Sequence, residues 1–166
     1  MKAFYIEFKW ALLYSAAALL WMFLEKLIGW HDAQIDKQPI YTNLFGLVAV
    51  LLYFLFMMDK RRNFFRGNMN WAQGFLSGTI LTVIIAAISP IVQVVTYQYI
   101  TPNYFDNAIR FRTAHNYMTL AQAESYFNLK SYIIQSALGS LPLGVITSAL
   151  VALLMKTKTN KTVNAN

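Results

Sequence analysis

The chain has 166 residues, a length that favours one domain, and 57% of them are hydrophobic while 13% are charged. Soluble domains carry about 45–50% apolar and about 25% charged residues, so a soluble fold of this length cannot bury so much apolar surface. The absence of cysteine excludes disulfides, thiolate metal sites and thiol nucleophiles.

Four apolar runs are long enough to cross a bilayer, for which a helix needs about 20 residues. They cover residues 10–28, 40–58, 71–100 and 132–155, and only the first run contains charged residues, Glu25 and Lys26. We therefore expect an all-α fold: one membrane domain over residues 1–166, an integral membrane four-helix bundle. Since Trp30, His31 and Asp32 follow the first run and offer no small-residue cleavage site, we expect it to remain as a span.

Glu25 is the only acidic residue within a predicted span, and ionisable groups inside membranes are candidates for function. It lies three residues before the end of the run, beside Lys26 and close to Trp30. This position favours the membrane interface, where charged side chains reach water. We therefore expect Glu25 to lie at the interface in contact with water, with ion or proton coupling as the alternative functional role.

A basic cluster after the second span indicates the orientation of the chain. When the N-terminus is placed inside, nine of the fourteen Lys and Arg residues lie on the inner side with only Glu7 and Asp59, whereas five basic and five acidic residues balance outside. The positive-inside rule then predicts that both termini are cytoplasmic, including the tail 156–166. The residues assigned to topology and to contact with lipid head groups are Lys60, Arg61, Arg62, Arg66, Lys156 and Lys158. The net charge of +7 is thus explained without nucleic acid.

Small residues recur at every fourth position in the third and fourth spans. Such stripes let two helix backbones approach closely, so we expect these spans to pack against each other or against a partner. Prolines in both spans remove a backbone hydrogen bond and predict kinks, which either shape the bundle or serve a binding site. The stripes comprise Gly74, Gly78, Thr82 and Ala86, then Ser136, Ser140, Gly144, Ser148 and Ala152, and the prolines are Pro90 and Pro142.

The segment 101–131 connects these two spans on the outer side. Thr101 and Pro102 form a helix start signal, and the apolar residues after them predict a short amphipathic helix lying on the membrane interface. Thr119 with Gln122 three residues later predicts a capping box and a second helix. We expect this connection to shield the bundle, with a substrate-binding lid as the alternative.

Several stretches resemble those of a bacterial membrane family, the domain-of-unknown-function 4199 proteins. They are KRR at 60–62, WAQGFLSG at 71–78, TPNYFD at 101–106 and SLPLGVITSALVALLMKTK at 140–158. The resemblance covers mainly residues 59–158 and implies a small four-span protein of the bacterial inner membrane. It brings no catalytic residues.

No motif for catalysis is present: the chain has no nucleophile elbow, phosphate-binding loop, dinucleotide fingerprint or HExxH helix. The spacing of His31 and His115 gives no metal-ligand signature. We therefore expect no enzyme activity, metal or cofactor. A membrane enzyme that uses Glu25 is a remote third hypothesis.

Two functional hypotheses follow. The first is a non-catalytic accessory or scaffolding component that contacts membrane lipids and packs against another membrane protein or a second copy of itself. The alternative is a small transporter or lipid-translocating protein. The alternative predicts a polar cavity that reaches Gln93 or Gln135 from one side of the bilayer, whereas the first predicts a filled interior and an open small-residue groove outside.

Overall fold

The computed structural model describes residues 4–157, and the regular structure within this range is entirely helical. The helices, in chain order, are α1 (Tyr5–Ile28), α2 (Gln38–Tyr41), a 3₁₀ turn (Thr42–Leu44), α3 (Phe45–Asn63), α4 (Trp71–Val95), a π-helical turn (Thr96–Ile100), α5 (Tyr104–Ala114), α6 (Leu120–Tyr126) and α7 (Leu129–Met155).

Four helical segments are long and apolar enough to cross a membrane: Tyr5–Ile28, Gln38–Asn63, Trp71–Ile100 and Leu129–Met155. Together with their packing, they confirm the predicted all-α four-helix membrane bundle. The helices extend beyond the predicted runs at 10–28, 40–58 and 132–155 because hydropathy marks only the apolar part of a helix. Polar residues continue the helix beyond the hydrocarbon region without appearing in an apolar run.

Local side-chain hydrogen bonds determine where several helices begin. Asn70 starts α4 with a capping box, in which its side chain accepts from the Gln73 amide and the Gln73 side chain accepts from the Asn70 amide. The predicted capping box of Thr119 and Gln122 is present at the start of α6. At the end of α1, Gly29 has a φ of +89°, a left-handed conformation that favours glycine and turns the chain back.

The antiparallel helices α4 and α7 are in backbone contact along the small-residue stripes. An ideal Cβ atom built on Gly78 would lie 2.5 Å from Ser148 Oγ and 3.3 Å from Ser148 Cα, so no side chain fits between the two helices there. The facing pairs are Gly74 with Ala152, Gly78 with Ser148, and Thr82 with Gly144. In this part of the bundle, the stripes face each other rather than an external partner.

The bundle has two ends of different character. The basic end contains the start of α1, the end of α3, the start of α4 and the end of α7, and a dense apolar cluster around Phe56, Met57 and Leu81 fills the adjacent half of the interior. At the opposite end, α5 and α6 cover the bundle, and we call it the capped end. The helix predicted to lie on the membrane interface is α5. This helix buries Tyr104 and Ala108 against the protein, where Tyr97 offers an apolar surface.

Candidate ligand-binding cavity

The capped half of the bundle contains a half-open cavity of about 620 Å³ between α1, α4 and α7. Cavities of roughly 300–1,000 Å³ are typical of small-molecule sites. Its wall combines aromatic rings, hydroxyl groups and amides with aliphatic side chains, among them Tyr14, Trp21, Tyr97 and Tyr132, Ser15, Ser89, Ser136 and Ser140, Gln93 and Gln135, and Ile85 and Val92. The two glutamines that distinguish the functional hypotheses both line this cavity.

The cavity begins where the close contact of α4 and α7 ends. Ser136 and Ser140 continue the α7 stripe, yet they are only partly buried and line the cavity wall. Ser136 Oγ still lies 3.4 Å from Ser89 Oγ on α4, so the two helices remain neighbours at one edge of the cavity. The stripe therefore has two roles, since one part packs against backbone and the other borders open space.

The two prolines lie inside α4 and α7, which continue through them. Pro90 cannot donate to the carbonyl of Ala86 four residues earlier. The neighbouring Ser89 hydroxyl donates to that carbonyl at 2.9 Å. A serine beside the proline thus satisfies a polar group that lipid cannot hydrate.

A π-helical turn at Thr96–Ile100 forms part of the wall, and sequence reasoning did not predict it. The amide of Thr101 donates to the Thr96 carbonyl at 2.8 Å, and Lys26 donates to the Ile100 carbonyl. This turn buries both Thr96 and Tyr97, which line the cavity. Thr96 Oγ1 has no hydrogen-bond partner among residues 4–157. Single π-turns often occur at functional sites.

Arg112 is the only charged residue in the part of the cavity wall that the structure describes. It is partly buried, and its guanidinium lies 5.7 Å from the centre of the Tyr117 ring. Near it, the Tyr104 hydroxyl lies 3.2 Å from the Tyr132 hydroxyl and 3.3 Å from Gln38 Oε1. Burial raises the pKa of Tyr104, so this hydroxyl remains a hydrogen-bond donor at neutral pH.

The expectation that Glu25 reaches water at the interface is wrong. Its exposed fraction is 1%, and its two carboxylate oxygens are held by His31 Nε2 at 3.0 Å and by Trp21 Nε1 at 2.6 Å. The turn at Gly29 brings His31 back over the carboxylate. His31 is itself fully buried, its ring packs edge-on against Tyr104, and its Nδ1 atom has no partner among the described residues.

This buried carboxylate–imidazole pair adjoins the cavity wall. Trp21, which bonds to Glu25, and Tyr104, which packs against His31, both belong to that wall. An acid and a base in hydrogen-bond contact can exchange a proton. Within residues 4–157, no group of three or more His, Asp or Glu side chains is arranged to hold a metal ion. His115 is exposed and hydrogen-bonds to the carbonyl of Phe111.

The basic residues assigned to topology are placed differently from one another. The prediction that Lys60 contacts lipid head groups is wrong: it is 2% exposed and lies 2.6 Å from Glu7, which is equally buried. A carboxylate on α1 thus draws Lys60 into the bundle, where its ammonium also lies 3.8 Å from the centre of the Phe64 ring. Arg61 is partly buried and donates to the Met155 carbonyl at 3.1 Å.

The other members of that set fit a surface role. Arg62, Arg66 and Lys156 are exposed at the basic end, while Lys158 lies outside the described residues. Asp59 on the same turn accepts from Lys9 and from Trp10, the latter at 2.7 Å. Two acid–base pairs between α1 and α3 therefore hold this end together, and the exposed arginines remain for solvent and head groups.

Four apolar spans around a cavity with both apolar and polar side chains in its wall define a multi-pass helical membrane protein. The family described as "Protein of unknown function (DUF4199)" matches residues 9–157, so the chain belongs to this family, as its resemblance in sequence predicted. No curated protein and no solved structure matches the chain.

Proposed function

We propose that this protein binds a small amphipathic molecule in its cavity and acts as a small transporter or lipid-translocating protein of the bacterial inner membrane. The observation that carries the proposal is an unpaired polar group inside the cavity wall. Within residues 4–157, Thr96 Oγ1 is buried without a hydrogen-bond partner, and Gln93 lines the cavity one helical turn earlier. A buried unsatisfied polar group costs about 1–3 kcal/mol, and a small rotation of the Thr96 side chain towards a polar ligand atom in the cavity would remove that cost.

The wall supports an amphipathic rather than a fully polar ligand. Ile85 and Val92 of α4 and Met22 of α1 contribute aliphatic surface beside the hydroxyls and amides. Pockets with mostly apolar walls and a few convergent polar groups are typical of small-molecule sites. A molecule that partitions into the membrane brings both kinds of surface.

The cavity lies in only one half of the bundle. Its wall runs from Tyr14 and Ile85 near the middle of the spans to α5 and α6 at the capped end, whereas Phe56 and Met57 belong to the packed cluster on the other side. With both termini in the cytoplasm, as the positive-inside rule predicts, the cavity belongs to the outer half of the membrane. Transporters commonly bind their substrates near the membrane midplane between helices.

The accessory hypothesis has less support. It drew on an outward-facing groove of small residues, and contacts such as Gly78 with Ser148 occupy that groove between α4 and α7. We assign no covalent chemistry to the cavity.

Tryptophan fluorescence tests ligand binding directly, because Trp21 lines the cavity and Trp71 is exposed at the basic end. One variant keeps only Trp21 and a second keeps only Trp71, and phenylalanine replaces the other three tryptophans in each. Stearic acid carrying a nitroxide on its chain quenches nearby tryptophan. We expect saturable quenching in the Trp21 protein in detergent micelles and only linear, non-saturable quenching in the Trp71 protein.

A cavity-filling change provides the second part of this test. Ser136→Phe places a ring in the cavity and should remove the saturable quenching of Trp21, whereas Leu138→Phe on the exposed face of the same helix should not. Linear quenching in both single-tryptophan proteins would contradict the proposal. Translocation itself is measured in proteoliposomes that contain a fluorescent lysophospholipid, with dithionite added outside. We expect dithionite to reach this lysophospholipid faster than in protein-free vesicles.

A further inference from the structure

We infer that the ligand is a single-chain amphiphile with an anionic head group, a phosphate or a carboxylate, and that Arg112 binds this head group. The inference rests on the proposed function, since it concerns the same cavity. It adds the charge of the ligand, the number of its chains and the residue that selects it.

The first argument is the charge of the wall. Arg112 is the only charged side chain among the described residues that line the cavity, and no Asp or Glu lies in this wall. A cationic ligand would meet a positive charge with no carboxylate in the same wall. An anion would instead be attracted, more strongly than in water because the surroundings are apolar.

The second argument is the unused hydrogen-bonding capacity of Arg112. A guanidinium offers five N–H donors in a planar fork that matches the oxygens of a carboxylate or phosphate. Among residues 4–157, no acidic side chain forms an ion pair with it, and its guanidinium lies 5.7 Å from the centre of the Tyr117 ring. Glu25, the buried acid near this end, is already held by His31 and Trp21.

The tyrosines of the wall favour the same head group. A quaternary ammonium binds to free aromatic faces, but here the rings pack on each other: Tyr97 meets Tyr132 edge-on with centroids 5.2 Å apart, and Tyr104 meets Tyr132 at 6.0 Å. Their hydroxyls, in contrast, converge on the same wall, where Tyr104 and Tyr132 lie 3.2 Å apart. Hydroxyl donors beside a guanidinium suit an anion.

The volume limits the number of chains. If each non-hydrogen atom with its hydrogens occupies about 30 Å³, the share of one water molecule in the liquid, then a cavity of about 620 Å³ holds about twenty such groups. That number corresponds to most of one acyl chain with a small head group, and a phospholipid with two long chains far exceeds it. Because the cavity is half-open, the end of a longer single chain can project from it. The head group at Arg112 then lies at the capped end, and the chain points towards Tyr14 and Ile85.

The test uses two probes that differ in charge and in one methyl group: nitroxide-labelled stearic acid, at a pH where it is ionised, and its uncharged methyl ester. Binding is measured by the saturable quenching of Trp21 in the single-tryptophan protein. We expect the acid to bind about tenfold to a hundredfold more tightly than the ester, as charge-assisted hydrogen bonds imply. The acid should lose this advantage in Arg112→Gln and retain part of it in Arg112→Lys, while ester binding should stay unchanged in both.

Arg110→Gln is the matched control, because Arg110 lies on the same helix but lines a separate shallow depression beside Asp32 and Asn107. It should leave the ratio of the two affinities unaltered. Unaltered ester binding also shows that each variant is folded. Inorganic phosphate at millimolar concentration should not displace the acid, whereas lysophosphatidic acid should.

The outcomes separate this inference from the proposed function. Equal affinity for acid and ester in the protein with Arg112 intact would overturn the anionic head group while leaving cavity binding in place. An equal loss of both affinities in Arg112→Gln and Arg112→Lys would make Arg112 a structural residue and also overturn the inference. Displacement of the acid by inorganic phosphate would contradict the inference that the ligand needs an acyl chain. The absence of saturable quenching by either probe would overturn the proposed function itself.

Discussion

The backbone contact between α4 and α7 predicts a large effect from adding a single methyl group. Gly78→Ala places a Cβ atom 2.5 Å from Ser148 Oγ, 2.6 Å from Ser148 Cβ and 3.3 Å from Ser148 Cα. The hydroxyl can rotate away, but the Cβ and the backbone cannot, so the helices must separate by about 1 Å to restore ordinary contact distances. Overpacking of this kind costs about 1–3 kcal/mol.

The same substitution at Gly139 provides the reference. Gly139 lies on α7, and no atom stands within 4 Å of the position its Cβ would take. Both substitutions gain about 1 kcal/mol of helix propensity, so this gain cancels in their difference. Gly139→Ala should therefore stabilise the protein slightly, and Gly78→Ala should be less stable than Gly139→Ala by about 1–3 kcal/mol.

The free energy of unfolding is measured by titrating the purified protein from mild detergent into a denaturing detergent and following tryptophan fluorescence. Adding Ser148→Gly to Gly78→Ala removes the atoms that the new methyl group meets and should recover much of the loss, a coupling that a double-mutant cycle isolates. Equal stability of Gly78→Ala and Gly139→Ala would refute the claim that backbone contact holds these helices together.

Two buried pairs give further predictions for the same assay. Glu25→Ala leaves the His31 ring without its carboxylate partner and should cost about 3–5 kcal/mol, the usual effect of breaking a buried pair, whereas Glu25→Gln retains a hydrogen-bonding oxygen and should cost less. Glu7→Leu should destabilise the protein by a similar amount because it removes the carboxylate that neutralises the buried ammonium of Lys60, and Lys60→Met added to it should restore part of the loss. Equal stability of the single and double variants would argue against a buried pair.

The spans and the helix packing were accessible from sequence because both depend on local patterns. A run of apolar residues identifies a membrane helix through its own composition, and small residues four positions apart identify one face of one helix. The small-residue face of α4 and that of α7 are therefore enough to predict that residues such as Gly78 and Ser148 face each other. The sequence pattern did not distinguish this packed part from Ser136 and Ser140, which continue the same spacing but border the cavity. That difference depends on a third helix, α1, which contributes Trp21 to the opposite wall.

The two wrong predictions concern charged residues whose partners lie elsewhere in the chain. Glu25 was placed in water because its neighbours Lys26 and Trp30 are typical of an interface, but His31 covers it after the turn at Gly29. Lys60 was grouped with the arginines that follow it because the positive-inside rule treats all basic residues alike. Glu7 lies far from Lys60 in sequence, and only the packing of α1 against α3 brings the two together.

If the protein translocates its ligand as proposed, the division of the bundle into a packed half and a cavity half limits the route of that ligand. A path between α4 and α7 would require separating backbones at Gly78 and Ser148, where no side chain fits between them. The seam between α1 and α3 at the basic end is instead closed by side chains, through the pair of Glu7 with Lys60. Side chains can change partners without moving a helix axis, and a buried ion pair that opens can admit a polar head group. If the ligand crosses the whole membrane, the seam between α1 and α3 is therefore the route that least disturbs the bundle. On this route, the exposed arginines at the basic end would receive an anionic head group.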